Sequence, residues 1–445
     1  MSSPPEAHPQ HFTQVVAALG EKLPVVAATA IFNDRGVKVV EKGASINLAL
    51  YERLAQHKLS LPIEDSVRCV ELISAAAIHL CAHETLNEIA FFGRMAPDAK
   101  SRNVLLDAVS KVPLPEPIAF QLTIAQKVRP EIFRTLIRTA LTAAWLAKTP
   151  LLSRFDVGMA ATAGLLHDIG MLHIDPVLLQ PDHQLDRNQR RQLYSHPLVS
   201  TVLIDRHHQY PKEVIRAVRE HHEYLDGSGY PKNLTGHEIS PLGRMLSLAT
   251  VVAAMFSPGR SSPELRLSVL LRMNTHRYDN TLSQQVIGLL RPATEGASGG
   301  LALVDDPVKL LVDIDAALKR WPDGLSGDAS VSQARRSEIS RLGDHVAQIH
   351  RALASVGATP EQLALLGSEV IDDHLQLEMS LLAREAAWQL RTLARQTRRR
   401  WKMGPGEDFP SALQDWLHAV DTLVTNIAGV EPTGTPLASP TPLAQ

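Results

Sequence analysis

Between Leu165 and Met255, two polar clusters are carried by otherwise apolar helical runs, with a His-Pro pair between them. The first cluster, Leu166-His167-Asp168-Ile169-Gly170, closes an alanine-rich run from Met159 to Leu166 that has the composition of a buried helix. The second is His221-His222-Glu223-Tyr224-Leu225-Asp226-Gly227-Ser228-Gly229-Tyr230-Pro231, and Ser195-His196-Pro197 lies between them. A His-Asp pair, a lone histidine and a His-His pair can together supply several nitrogen and oxygen ligands. Such a donor set suits Fe, Mn or Zn better than Mg or Ca. The constellation therefore reads first as a metal site.

In their order and spacing, His167-Asp168-Ile169-Gly170, His196-Pro197, His221-His222-Glu223 and Asp226-Gly227-Ser228-Gly229-Tyr230-Pro231 resemble the HD-GYP family, a branch of the HD phosphohydrolase superfamily. The resemblance covers roughly residues 130–290. It implies a mainly α fold with an HD-type helical core, and hydrolysis of cyclic di-GMP at a centre of two or three divalent ions, Fe or Mn foremost. It further implies that His167, Asp168, His196, His221 and His222 hold metal, with the Asp168 carboxylate central to catalysis because it can serve both metal positions.

Three departures accompany the resemblance. The register that puts Arg138 and Ala140 at their family positions places Thr135 where a ligand histidine belongs, and no histidine occurs between Pro130 and Leu166. The closing helix, Arg244-Met245-Leu246-Ser247-Leu248-Ala249, runs into Thr250 where a ligand aspartate belongs, and the lysine expected after His-Asp-Ile-Gly is Met171. A threonine hydroxyl offers neither the charge of a carboxylate nor the donor strength of imidazole. One metal position is thus expected to be lost or weakened. The other, built by resemblance from Asp168, His196, His221 and His222, keeps its full set. In the glycine-rich loop, Gly227 and Gly229 permit close backbone approach. Gly229, Tyr230, Pro231 and Arg244 are the candidate substrate contacts, with Tyr230 placed to pack on a guanine or donate to phosphate and Arg244 to contact phosphate or form a buried salt bridge. Glu223 and Asp226 are expected to orient the histidine pair.

A chain of 445 residues has room for two or three domains. With 45 basic against 47 acidic residues, no overall field recruits nucleic acid or an anionic membrane. Two cysteines, Cys69 and Cys81, give no disulfide framework and suit a cytoplasmic setting. No apolar run reaches the length of a membrane span.

Residues 1–20, with Pro4, Pro5 and Pro9, start without structure and lead into a short helix. Residues 21–65 read as a small β unit: Val25 to Phe32 and Val37 to Val40 form a hairpin about Asn33-Asp34-Arg35-Gly36, followed by a helix from Leu48 to His57. Residues 66–125 are a helical connector whose His79 and His83 share a helix face, a pairing better explained by packing than by metal. The core follows at 126–298. In the C-terminal region, 299–430, long helices are expected over Ser332–Val356, over Pro360–Lys402 with Thr359 as N-cap, and over Pro410–Ala428, forming a bundle or hairpin. The arginine-rich end from Arg391 to Lys402 can bind an acidic partner or simply complement a helix C-terminus. Residues 431–445 are a disordered tail.

Two functions fit these features. One is a divergent metal-dependent phosphodiesterase with impaired or altered catalysis. The other is an inactive HD-GYP-like signalling module that binds a nucleotide, or a protein through its N-terminal unit or C-terminal helices.

Overall fold

The computed structural model describes residues 10–148, 154–180, 183, 185–291, 303–322, 332–365, 372–402 and 410–425. The tail at 431–445 lies outside the described residues. The protein is mainly α with a few short strands, and its backbone divides into two compact units, Met1–Ala253 and Ala254–Gln445. That boundary falls inside the stretch 126–298 assigned above to one core.

In the first unit, α1 (Gln10–Gly20) is a short helix, and residues 1–9 of the start lie outside the described residues. Phe12, Val15, Val16 and Leu19 recur at helical spacing and are all buried. The β unit also differs from the expected hairpin. Strand β1 (Val25–Ala27) pairs antiparallel with β4 (Val67–Cys69), and only β2 (Ile31–Phe32) and β3 (Lys38–Val40) form the hairpin. Asn33 explains the turn: its side-chain oxygen accepts from Arg35 N at 3.0 Å and Val37 N at 2.8 Å, while Gly36 takes the left-handed φ of 76°. Helical period does not distinguish the short strand β4 from the start of the connector, because tertiary pairing with β1 decides it.

Helices α2 (Leu48–Leu54), α3 (Ala75–Glu88), α4 (Ala90–Met95), α5 (Ala99–Ser110) and α6 (Glu116–Val128) follow. Asp98 caps α5 through Ser101 N at 2.8 Å. The core centres on α7 (Pro130–Leu146) and α8 (Arg154–Leu166). Leu136, Ile137, Ala140 and Ala143 of α7, with Ala160, Ala161 and Ala163 of α8, are shut off from solvent. Their small side chains let the two backbones approach closely. A methyl group on Gly164 would sit 2.5 Å from Ala140 Cα, so only glycine fits that crossing. Helices α9 (Arg187–Leu193), α10 (His196–Asp205), α11 (Lys212–Glu220) and α12 (Pro241–Met255) complete the unit's helical run. On α11 Val214, Ala217 and Val218 face inward, and the buried Glu220 carboxylate accepts from Ser240 N at 2.9 Å.

One contact within this unit gives a pH prediction. His173 stacks on Phe12 with ring centroids 3.9 Å apart, and its Nε2 is buried without a hydrogen-bond partner. Burial and the neighbouring Arg206 pull its pKa down to about 4, from 6.5. Because the folded state then binds fewer protons than the unfolded state, His173 adds stability that is complete above pH 6.5 and is lost as pH falls towards 4. Melting should show about 1–2 kcal/mol less stability at pH 5 than at pH 8 from this residue. His173→Phe, which keeps the stack and cannot titrate, should remove that part of the acid sensitivity. An unchanged difference between the two pH values would contradict the assignment.

The second unit holds α13 (Pro263–Met273), α14 (Asn280–Leu289), α15 (Pro307–Lys319), α16 (Gln333–Ser355), α17 (Pro360–Ala364), α18 (Asp373–Lys402) and α19 (Ser411–Thr425). Thr359 caps α17 in a capping box with Gln362, as expected, but α17 ends at Ala364, so the long helix read from Pro360 begins only at Asp373. Leu311, Ile314, Leu353, Leu382, Leu390 and Trp416 form its core, and the Trp416 indole donates to Ala317 O at 2.9 Å. In the basic end of α18, Arg398 donates to Asp421 at 2.9 Å, so at least this arginine is engaged within the unit. Among the described residues, no helix is long and apolar enough to cross a membrane.

Candidate metal centre

The centre is built at helix ends. His167 and Asp168 directly follow α8, His221 and His222 directly follow α11, and His196 opens α10 three residues after α9 ends. The last carbonyls of a helix have no partner within it, and three imidazoles use them. His167 Nδ1 lies 2.8 Å from Gly164 O, His196 Nδ1 2.7 Å from Leu193 O, and His221 Nδ1 2.6 Å from Val218 O. A carbonyl can only accept, so each Nδ1 carries the hydrogen and each Nε2 presents a lone pair. The negative end of the helix dipole adds to their donor strength.

These lone pairs converge on one carboxylate. Asp168 Oδ1 lies 3.1 Å from His196 Nε2 and 3.4 Å from His221 Nε2, and Oδ2 lies 3.2 Å from His167 Nε2. His196 Nε2 is also 3.1 Å from His222 Nε2. The backbone forces this meeting. Gly170 N donates to Ser200 Oγ at 2.9 Å, and a methyl group on Gly170 would lie 2.4 Å from His196 O. The turn after Asp168 is thereby pressed onto the first turns of α10.

Asp168, His196, His221 and His222 each offer a donor atom within 4.8 Å of the others, the only such group of metal-type side chains among the described residues. The donor set fits a divalent ion. Asp168 Oδ1 is buried without a hydrogen-bond partner, and lone pairs facing one another at these distances repel unless a cation lies among them. Burial alone would push the Asp168 carboxyl up, but with no ion bound, His167 and His196 in their protonated forms hold it well below the usual carboxylate range. Burial likewise brings His221 down to about 4 and His222 well below its ordinary value, leaving both neutral and ready to ligate near pH 7.

His167 faces the other carboxylate oxygen and stands outside the four-donor group. The threonines supply nothing comparable: Thr135 Oγ1 donates to Glu131 O at 2.9 Å and Thr250 Oγ1 to Ser247 O at 2.8 Å, each folded back on its own helix. His83 pairs with Asn87 at 3.1 Å and, with His79, takes no part in a metal-type group.

The loop residues are held by contacts within the protein. Tyr230 is buried and stacked on the His222 ring, centroids 4.6 Å apart and planes 15° apart, with Tyr194 on it at 4.8 Å. It packs on a histidine of the centre. Burial raises its phenol pKa well above the usual value. Arg244 donates to Ile239 O and Gly236 O, both at 3.1 Å, and so braces the loop. Gly229 is required by its own chain, since a methyl there would lie 2.4 Å from Glu223 Cα. Pro231 follows Tyr230 in the same loop and is half-buried. Glu223 accepts from Lys232 N at 2.6 Å and Leu234 N at 2.9 Å, and Asp226 accepts from Ser228 N at 2.9 Å. These bonds close the loop and leave the histidines to the backbone carbonyls, which no residue type in the sequence could reveal.

Residues 114–282 match the protein-family model described as HD domain. That stretch of the chain is an HD domain, and the motifs within it resemble those of the HD-GYP branch. Over 93 residues it is 33% identical to the 3′3′-cGAMP-specific phosphodiesterase 3 of Vibrio cholerae, covering 21% of this chain and 20% of that protein. Over 213 residues it is 30% identical to the cyclic di-GMP phosphodiesterase PA4108 of Pseudomonas aeruginosa, covering 44% of this chain and 48% of that one. The chain thus spans half or less of the length of these relatives. A solved structure, the HDG"Y"P protein Bd1817 of Bdellovibrio bacteriovorus, matches with a TM-score of 0.34 and 16% identity over 60% of this chain and 94% of that one.

Proposed function

We propose that this HD domain is a metal-dependent phosphodiesterase for a cyclic dinucleotide of the cyclic di-GMP or cGAMP type, acting in the cytoplasm with one firmly held ion where the HD-GYP resemblance implies two or three. The observation that carries the reading is the convergence of Asp168, His196, His221 and His222 on one point with their lone pairs inward. The mixed imidazole and carboxylate set favours Fe or Mn. When bound, the ion supplies positive charge to a phosphoryl oxygen and acidifies a water nucleophile.

The chain's own residues do the rest. Asp168 compensates the ion's charge and, through Oδ2, faces His167 at 3.2 Å. Fixed Nδ1 tautomers pre-orient three imidazoles, and Tyr230 shields the His222 ring. A second metal would lack the Thr135 and Thr250 positions, so the two-sided clamp on attacking and leaving oxygens is missing and turnover is slow.

The second reading, an inactive module that binds a nucleotide or a protein partner, rests on those two threonines and on Met171. Turnover of cyclic di-GMP and cGAMP by the purified chain, loaded anaerobically with Fe(II) or Mn(II), separates the two. Slow metal-dependent hydrolysis that ethylenediaminetetraacetate (EDTA) abolishes supports the enzyme. Binding of the nucleotide with no hydrolysis favours the module.

A further inference from the structure

A cavity of about 850 Å³ lies within the first unit, away from the metal centre. Its volume is in the range of small-molecule sites, about 300–1,000 Å³. One wall is a single face of α5, from Lys100 through Asn103, Val104, Asp107 and Ala108 on to Lys111 beyond its end, and the opposite wall comes from Val157, Met159 and Val214. By helix rise, Met159 stands about 12 Å along α8 from His167, and Val214 about 10 Å along α11 from His221. The cavity and the metal centre therefore sit at opposite ends of the same two helices.

Three observations define what it would hold. Its lining is predominantly apolar, and its buried phenol is already engaged, Tyr210 Oη donating to Pro113 O at 2.7 Å. The charges sit at the two ends of the α5 face, which are about 16 Å apart by helix rise. At one end Lys111 is paired with Asp107 at 2.7 Å, leaving Lys100 as the uncompensated charge among the described residues of the lining. The third is Gly158, inside α8. A glycine there costs about 1 kcal/mol relative to alanine, yet an added methyl group would meet nothing within 4 Å. Gly164, six residues on, is demanded by the crossing with Ala140, whereas at Gly158 the missing side chain only leaves the cavity open.

We infer that this cavity is a binding site for an elongated amphipathic monoanion, an aliphatic carboxylate whose chain lies between Val104 and Ala108 of α5 and the facing Val157, Met159 and Val214, and whose carboxylate pairs with Lys100. The site is independent of the metal centre and of the reaction proposed for it.

Calorimetric titration of the full chain with decanoate, below its micelle concentration, tests the inference. Saturable binding at one site per chain is expected, weaker for decan-1-ol. Gly158→Leu, which places a side chain in the open space, should abolish binding without lowering the melting temperature. Lys100→Gln, an exposed change that does not threaten the fold, should weaken decanoate several-fold and leave decan-1-ol unaffected. Absence of saturable binding, equal affinity for the acid and the alcohol, or decanoate binding that Lys100→Gln leaves unchanged would overturn it. So would a folded Gly158→Leu protein that still binds, which would point to a partner chain or a second copy as the occupant of this face.

Discussion

Asp168→Ala is expected to abolish metal binding while leaving the helices folded. The carboxylate is the only anionic member of the four-donor group, and its Oδ1 lies within 3.4 Å of the Nε2 atoms of both His196 and His221. Removing it leaves three neutral imidazoles with no negative charge to set against a divalent ion in a buried site. Changes around a metal's ligands typically cost about 10- to 100-fold in affinity, and a lost ligand costs more. An ion present at about 100 times its Kd stabilises the fold by about 2.7 kcal/mol. The melting temperature of the parent protein should therefore rise with added Mn(II), and that of Asp168→Ala should not move. A variant that melts with the same metal dependence as the parent would remove Asp168 from the centre.

The reverse experiment should have an effect of comparable size. Thr135→His combined with Thr250→Asp returns an imidazole and a carboxylate to the positions where the HD-GYP pattern has them. In the parent both hydroxyls are spent on their own helices, at 2.9 and 2.8 Å. With His167 and the Asp168 Oδ2 atom already facing each other at 3.2 Å, the pair should complete a second position. Bound metal is expected to rise from about one to about two ions per chain, and hydrolysis by about 100-fold or more, because a paired centre stabilises both the attacking and the leaving oxygen. Each single variant should give much less, since neighbouring ligands of one ion act as a unit. A second ion without faster hydrolysis would mean that something other than the missing ligands limits the rate.

Much of the centre was legible in the sequence because polar side chains at fixed spacing within apolar helices are costly to bury unless they share a ligand or bond one another. Asp168, His196, His221 and His222 come together as the motifs imply. The division of labour around them was not legible. Tyr230 and Arg244 are residue types that contact nucleotides, and only the packing reveals that one stacks on His222 while the other bonds loop carbonyls. Glu223 and Asp226 likewise look like partners for histidine, but backbone carbonyls left over at the ends of α8, α9 and α11 take that role. Carbonyls carry no residue identity, so their use depends on where each helix stops, the least legible feature of a helix. The same reason applies to β1. Val25 to Ala27 has strand composition, but its partner β4 lies about forty residues away, past the nearer hairpin.

The most direct test of the account is the metal content of the purified chain after anaerobic loading with Fe(II) or Mn(II) and removal of loosely held ions, measured by elemental mass spectrometry. The four-donor centre, with Thr135 and Thr250 in place, predicts about one ion per chain. Two tightly held ions would show that the threonine positions do not weaken the second site, and none would show that the converging lone pairs of Asp168, His196, His221 and His222 do not serve a metal.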